Sequence, residues 1–336
     1  MNKATFLGAA LLSSIIFTGC TKDSSDDSDD VIGNWVTASD FDGNARSEAV
    51  TFTIGDKTYL TTGTTDRDRF ADLWEYDADK KFWTQKAAFP GNARSSAVAF
   101  VIGDKGYIGT GYDGSNKLND FWEYDPAADK WTRKADFPGS ARYDAVGFSL
   151  EGKGYLCSGF DGNYLKDLWQ YDAAADSWTQ KASLGGTKRS AATAFVLNNK
   201  AYVCSGNNNG SALNDLWQYD AATDTWTQKR KISNVEDESY DDDYSTILRY
   251  NAVSFVLGGK AYITTGENGS LNSDTWEYND ATDLWTKKTA FEGTARTGAV
   301  AFTQKDRSFV LTGRSGSLSF DNMYELHPSE ESDTDD

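Results

Sequence analysis

Six arginines recur along the chain at nearly constant spacing: Arg46, Arg94, Arg142, Arg189, Arg249 and Arg296. A guanidinium is planar and permanently charged, and it can clamp a carboxylate, sulfate or phosphate with two parallel hydrogen bonds. The residues that follow the arginines are less uniform. Tyr143 and Tyr250 come directly after two of them, and Glu48, Asp144 and Asn251 come two positions after three. Other repeats carry Ser, Ala, Thr or Gly at these places. A tyrosine ring can stack on a sugar or aromatic group, while the carboxylates and the amide supply acceptors and donors. These eleven residues form the candidate ligand-contact set. A residue present in every repeat also suits a structural task, bonding loop carbonyls or the Asp of the next repeat. The positions that break the pattern are therefore the more telling ones.

Other chemistries lack their residues. The chain has one histidine, His327, so a Ser-His-Asp set has no freely placed base, and neither a phosphate-binding glycine loop nor zinc-ligand spacing is present. The acidic run from Glu236 to Asp243 is rich in the oxygen atoms that hard cations favour, but it lacks EF-hand spacing and reads as a solvated loop. The expectation is no catalytic residue, no metal and no cofactor.

The arginines mark a period of 47 or 48 residues, broken once by 60. Five repeats carry an Asp-x-Trp-Glu/Gln-Tyr cluster and a second Trp nine positions after the first. The first members are Trp74, Trp122, Trp169, Trp217 and Trp276; the second are Trp83, Trp131, Trp178, Trp226 and Trp285. Short runs of Val, Ala, Phe, Tyr and Trp punctuated by Gly, Asn and Asp are strand and turn signals. In the second repeat the strands are expected at Ala97 to Ile102, Gly106 to Thr110, Phe121 to Tyr124 and Trp131 to Arg133. Four-stranded units repeated six times in a ring make an all-β propeller. The sixth repeat stops before its second Trp, and Trp35 precedes the first, so the N-terminal strand is expected to close the last blade. All the paired Trp are expected in the core between sheets.

These units resemble the kelch repeat, with its hydrophobic strand, glycine pair, acidic-aromatic strand and spaced Trp, from Trp35 to about Pro328. The first glycine of the pair is replaced throughout, by Thr62-Gly63, Thr110-Gly111, Ser158-Gly159, Ser205-Gly206, Thr265-Gly266 and Thr312-Gly313. A WD-type propeller fits less well, because the period is longer and the Gly-His and Trp-Asp signatures are missing. The resemblance extends to the propeller of galactose-oxidase-like proteins, whose copper site needs histidine ligands; with His327 alone that chemistry is argued against. A six-bladed kelch relative that interconverts sugar anomers supplies the enzymatic alternative, a sugar mutarotase or epimerase in which Glu48 or Asp144 shuttles a proton at the channel mouth.

Residues 1–19 read as a signal peptide: Lys3, an apolar stretch from Phe6 to Phe17, then Thr18-Gly19 before Cys20. The ending resembles a bacterial lipobox, which implies lipidation at Cys20. Residues 20–30 are an acidic tether, 31–328 the propeller and 329–336 an acidic, disordered tail. The tether also resembles a signal that sends lipoproteins to the outer face of the outer membrane. Sixteen of the 51 acids lie in three segments, five in the tether, six in the loop and five in the tail; the remaining 35 face 31 Lys and Arg. The body thus has no basic footprint for nucleic acid. Cys157 and Cys204, at matching positions of adjacent repeats, are expected as unpaired core residues. Together these features describe a lipid-anchored, surface-exposed module that binds glycan or protein through its variable loops, with the channel mouth facing outward.

Overall fold

The computed structural model describes Met1 and residues 32–333. The signal peptide from residue 2, Cys20, the tether and residues 334–336 lie outside the described residues. Met1–Asp30 and Val31–Asp336 separate as two units, and the second is the folded body.

Six four-stranded antiparallel sheets make up that body. The second sheet is Val98–Ile102, Lys105–Gly109, Phe121–Asp125 and Lys130–Arg133, within a residue or two of the expected strands. The first strands of successive sheets touch in sequence, and the strand Ser47–Ile54 meets Val300–Gln304 to close the ring. The last blade joins Asn34–Thr37 to Met323–His327, with Trp35 opposite Leu326. Trp35 is fully buried, edge-on to Phe291 at 5.1 Å and Phe255 at 6.3 Å, so the ends of the chain are locked together by core packing. Beyond that strand Glu330, Ser332 and Asp333 bond to Gly33, Glu292 and Asn34, so the first residues assigned to the tail lie against the last blade.

The blades are joined by a repeated backbone bond. The amide of the glycine in each Thr/Ser-Gly step donates to the carbonyl of the next blade's arginine, from Gly63 to Arg94 through Gly313 to Arg46. Gly111 has φ +100, and a Cβ there would lie 2.8 Å from the Ser95 carbonyl, so no side chain fits. The hydroxyl residue before it, Thr110, also has positive φ, 59°.

The paired Trp are not equally deep. Trp35, Trp83, Trp131, Trp276 and Trp285 are buried, whereas Trp74, Trp122, Trp169, Trp217, Trp178 and Trp226 are half-buried. The expectation of ten core tryptophans is corrected on that point. For four first members the reason is polar: the indoles of Trp74, Trp122, Trp169 and Trp217 donate to Asp72, Asp120, Asp167 and Asp215, at the sheet margin, at 2.7–2.8 Å. Cys157 and Cys204 are buried and unpaired, and burial pushes both thiols up to about 12.

Candidate functional site at the channel mouth

The six arginines do not line the mouth. Each is at most 1 % exposed and is consumed within its own blade. Arg94 is representative: Nε donates to the Asn92 carbonyl at 2.9 Å, Nη1 to the Thr110 carbonyl at 2.9 Å, and Nη1 and Nη2 to the two oxygens of Asp120 at 2.6 and 2.7 Å. Asp72, Asp167 and Asp215 pair in the same way with Arg46, Arg142 and Arg189. The partner is the Asp of the same repeat, not of the next one. Burial opposes ionisation of Asp120, but the Arg94 hydrogen bond and charge outweigh it and hold the carboxyl below its usual range. Arg249 bonds the backbone carbonyl of Asp274 and Arg296 the side-chain carbonyl of Asn322. Without a carboxylate clamp, burial lowers both guanidiniums to about 10. The ligand-clamping role expected of Arg46, Arg94, Arg142, Arg189, Arg249 and Arg296 is thus corrected to a structural one: all six are buried, and their guanidiniums bond internal partners, with only Arg296 Nη2 left buried without an acceptor.

What lines the mouth is the position two residues further on. Glu48, Ser96, Asp144, Ala191, Asn251 and Gly298 all have φ between 51 and 62°. Their backbones form a closed belt in which each amide donates to the carbonyl of the preceding member, at 2.7–3.2 Å. Such a belt fixes where side chains leave the backbone, a rigid platform on which only the side chains vary. Below it the channel narrows to a space of about 190 Å³ walled by small residues such as Ala99, Gly147, Ser254 and Ala301.

The three consecutive polar members make a cluster. Ser96 Oγ lies 3.2 Å from Glu48 Oε2, and its hydroxyl also bonds Asp144. Burial pushes the Asp144 carboxyl up to about 6; the Ser96 bond opposes the rise and the Glu48 charge adds to it. Arg314 stands 3.8 Å from the other Glu48 oxygen. Across the mouth, Asn251 and Thr297 both donate to Glu267, at 3.3 and 3.0 Å. Ala191 and Gly298 leave gaps between these two patches.

Tyr143 and Tyr250 bridge to Phe160 and Glu267, the residues directly after the paired glycines of their own blades. Tyr143 is the centre of an aromatic series, 5.5 Å from Tyr112 and 5.6 Å from Phe160, which in turn is 5.1 Å from Tyr164. Arg69 stacks on Tyr112 at 5.2 Å. Beside the series runs a groove of about 420 Å³ formed by Phe160, Asn163, Tyr164, Lys188, Asn208 and Asn209. The structure therefore brings Glu48, Tyr143 and Asp144 to one side of the mouth and Tyr250 and Asn251 to the other. Sequence reasoning missed Ser96, Tyr112, Phe160, Tyr164, Glu267, Arg69 and Arg314 as contacts. For four of them the signal was available: Tyr112, Phe160, Glu267 and Arg314 each follow the glycine of the Thr/Ser-Gly step.

The acidic insertion is a separate feature. It is anchored by Ile232, Tyr244 and Ile247, which join the core around Trp276 and Trp285, and by Tyr240 under Arg230. Among the described residues no group of three or more His, Cys, Asp or Glu is placed to hold a metal.

Six antiparallel four-stranded blades in a ring, the last closed by an N-terminal strand, define a β-propeller. A family profile described as the KLHDC2/KLHL20/DRC7 Kelch-repeats domain matches residues 15–188 and 141–313, and the chain belongs to the kelch-repeat family. Among solved structures, one titled "Structure of YjhT" matches with a TM-score of 0.70 over 85 % of this chain and 95 % of that one, at 15 % sequence identity, a likeness of fold alone. No curated protein matches the sequence.

Proposed function

We propose that this kelch propeller is a non-catalytic binding module that takes a glycan at its channel mouth, presented from the cell surface as a lipoprotein anchored through Cys20. The observation that carries the reading is the aromatic series Tyr112, Tyr143, Phe160 and Tyr164 beside a groove edged by Asn163, Asn208, Asn209 and Lys188. Aromatic faces pack against the apolar face of a sugar ring, and amides and hydroxyls fix its orientation. Variable polar residues on a rigid belt are the arrangement by which repeat scaffolds set specificity. The localisation rests on the lipobox-like Phe17-Thr18-Gly19-Cys20 and the acidic residues behind it.

The test is a glycan array probed with the wild-type protein and with Tyr143→Ala and Tyr164→Ala variants. Saturable binding that both variants lose supports the reading; binding that survives in both, or no binding to any glycan, refutes it. For the anchor, incorporation of labelled fatty acid that Cys20→Ala abolishes is the expected result, and unlabelled wild type is the contrary one.

The Glu48–Ser96–Asp144 cluster favours one second reading, a sugar mutarotase. An acid poised near pH 6 and a neighbouring carboxylate are suited to moving a proton at a ring oxygen or anomeric hydroxyl. Anomer exchange followed by NMR, accelerated by wild type and not by Asp144→Asn, would select this reading over simple binding.

A further inference from the structure

At the outer rim, four successive blades close onto the preceding blade with the same carboxylate. Asp129, Asp176, Asp224 and Asp283 occupy the turn before the fourth strand with φ of 47, 47, 52 and 59°. Each accepts a tyrosine hydroxyl of its own blade, from Tyr124, Tyr171, Tyr219 and Tyr278, at 2.6–2.8 Å. Each also accepts a backbone amide of the preceding blade, from Ala87, Ala135, Ala182 and Arg230, at 2.9–3.1 Å. The carboxylate is a latch between blades.

Where the last blade meets the first, the latch is missing. The equivalent turn residue is Lys81, with φ 56°, and an ammonium accepts nothing. Tyr76, the counterpart of Tyr124, is left with Ser39 Oγ at 3.2 Å. The Trp83 indole nitrogen is buried without a partner, whereas those of Trp131, Trp178 and Trp226 donate to the preceding blade. Trp285, next to the insertion, shares only this last defect. In place of the latch is a cavity of about 320 Å³ lined by Ser39, Tyr76, Lys81, Arg307, Glu325 and His327. Glu325 spends both oxygens on Arg307, a swap permitted because Phe309 lacks the hydroxyl that Tyr59 and Tyr107 give to Glu75 and Glu123. Lys81 has no ion-pair partner among the described residues, so the cavity carries an uncompensated positive charge.

We propose that this seam cavity is a binding site for a small carboxylate, which occupies the place that Asp129, Asp176, Asp224 and Asp283 fill in four of the other blades, the last blade carrying Gly33 there. Its oxygens accept from the Tyr76 hydroxyl and the Lys81 ammonium, so the ligand completes the ring's closure. The volume suits a molecule of a few carbons. The site is built from rim residues and shares none with the mouth, so it stands or falls separately from glycan binding.

The experiment uses full-length protein with indole ¹⁵N-labelled tryptophan, titrated with succinate at constant ionic strength set by chloride. Thermal unfolding is recorded in parallel, and the Trp83 signal is assigned from Trp83→Phe. Expected are a saturable displacement of the Trp83 indole signal and a rise in Tm that follows occupancy. In Lys81→Ala the apparent affinity falls roughly ten-fold or more, the worth of one charge-assisted hydrogen bond. Lys81→Asp carries its own latch: its Tm without succinate exceeds that of wild type, and succinate moves neither signal nor Tm. Lys81 is an exposed turn residue, so both variants fold. A wild type that gives no saturable response overturns the proposal, as does a Lys81→Asp variant that responds like wild type.

Discussion

Removing Asp120 tests whether the repeat arginines hold the blades together. In Asp120→Ala, Arg94 keeps its bonds to the Asn92 and Thr110 carbonyls but loses both charge-assisted bonds, at 2.6 and 2.7 Å, and Trp122 loses the acceptor of its indole. The guanidinium has no solvent to replace them, because Arg94 is 0 % exposed. Stranding a buried charge in this way costs about 3–5 kcal/mol. For a chain of this size that lowers Tm by roughly 10 °C. The last blade supplies an internal control: Arg296 is held by the neutral Asn322 at 2.8 Å, so Asp120→Asn should cost only about 1–2 kcal/mol. The effect should also depend on pH. Asp120 is held below its usual range in the fold, so its contribution is complete above the unfolded value of about 3.9 and fades as pH falls through the folded value. Urea unfolding of the three proteins at pH 7 and pH 3 measures both quantities. If Asp120→Ala costs under about 1 kcal/mol at pH 7, the buried-clamp account of the arginines is wrong.

Asn322→Asp gives Arg296 the carboxylate found in four other blades and should raise stability by about 1 kcal/mol, read as a higher urea midpoint. Trp35→Ala should cost about 3–5 kcal/mol, since the ring is fully buried and closes the last blade; the same assay reads it. Asp144, raised to about 6 by burial, binds a proton more readily in the fold than unfolded, so at pH 7 it subtracts stability that returns as pH falls from 6 towards 4. Asp144→Asn should therefore gain up to about 2 kcal/mol at pH 7 and little at pH 4, as measured by denaturant titration at the two values.

The fold was legible because tryptophan pairs and glycine steps at a fixed period leave few ways to pair strands, and Trp35 falls where the last blade lacks its second Trp. The role of the arginines was not legible in the same way. Arg94 and Asp120 were both visible as repeating residues, but the 26 positions between them span two strands, and only the register of Gly109 with Phe121 makes them neighbours. Burial decides the rest: a guanidinium at a strand start looks like a channel residue until the belt two positions later is seen to take that place. Glu48, Tyr143, Asp144, Tyr250 and Asn251 were found by their departure from the repeat, which works because packing holds the other blades to small residues there. Tyr112 and Phe160 stand directly after the glycine of the Thr/Ser-Gly step, a place that the period does align; they were overlooked because each opens a variable loop and was read with the loop rather than with the repeat.

The central claim is that the mouth is where the ligand is held, and labelling tyrosines tests it most directly. Protein carrying fluorotyrosine is titrated with the glycan that the array selects, and the ¹⁹F signals are assigned by substitution. The account predicts that Tyr112, Tyr143 and Tyr164 shift with occupancy while the buried Tyr59, Tyr155 and Tyr262 stay fixed. Saturable binding that leaves the three mouth tyrosines unmoved would contradict it.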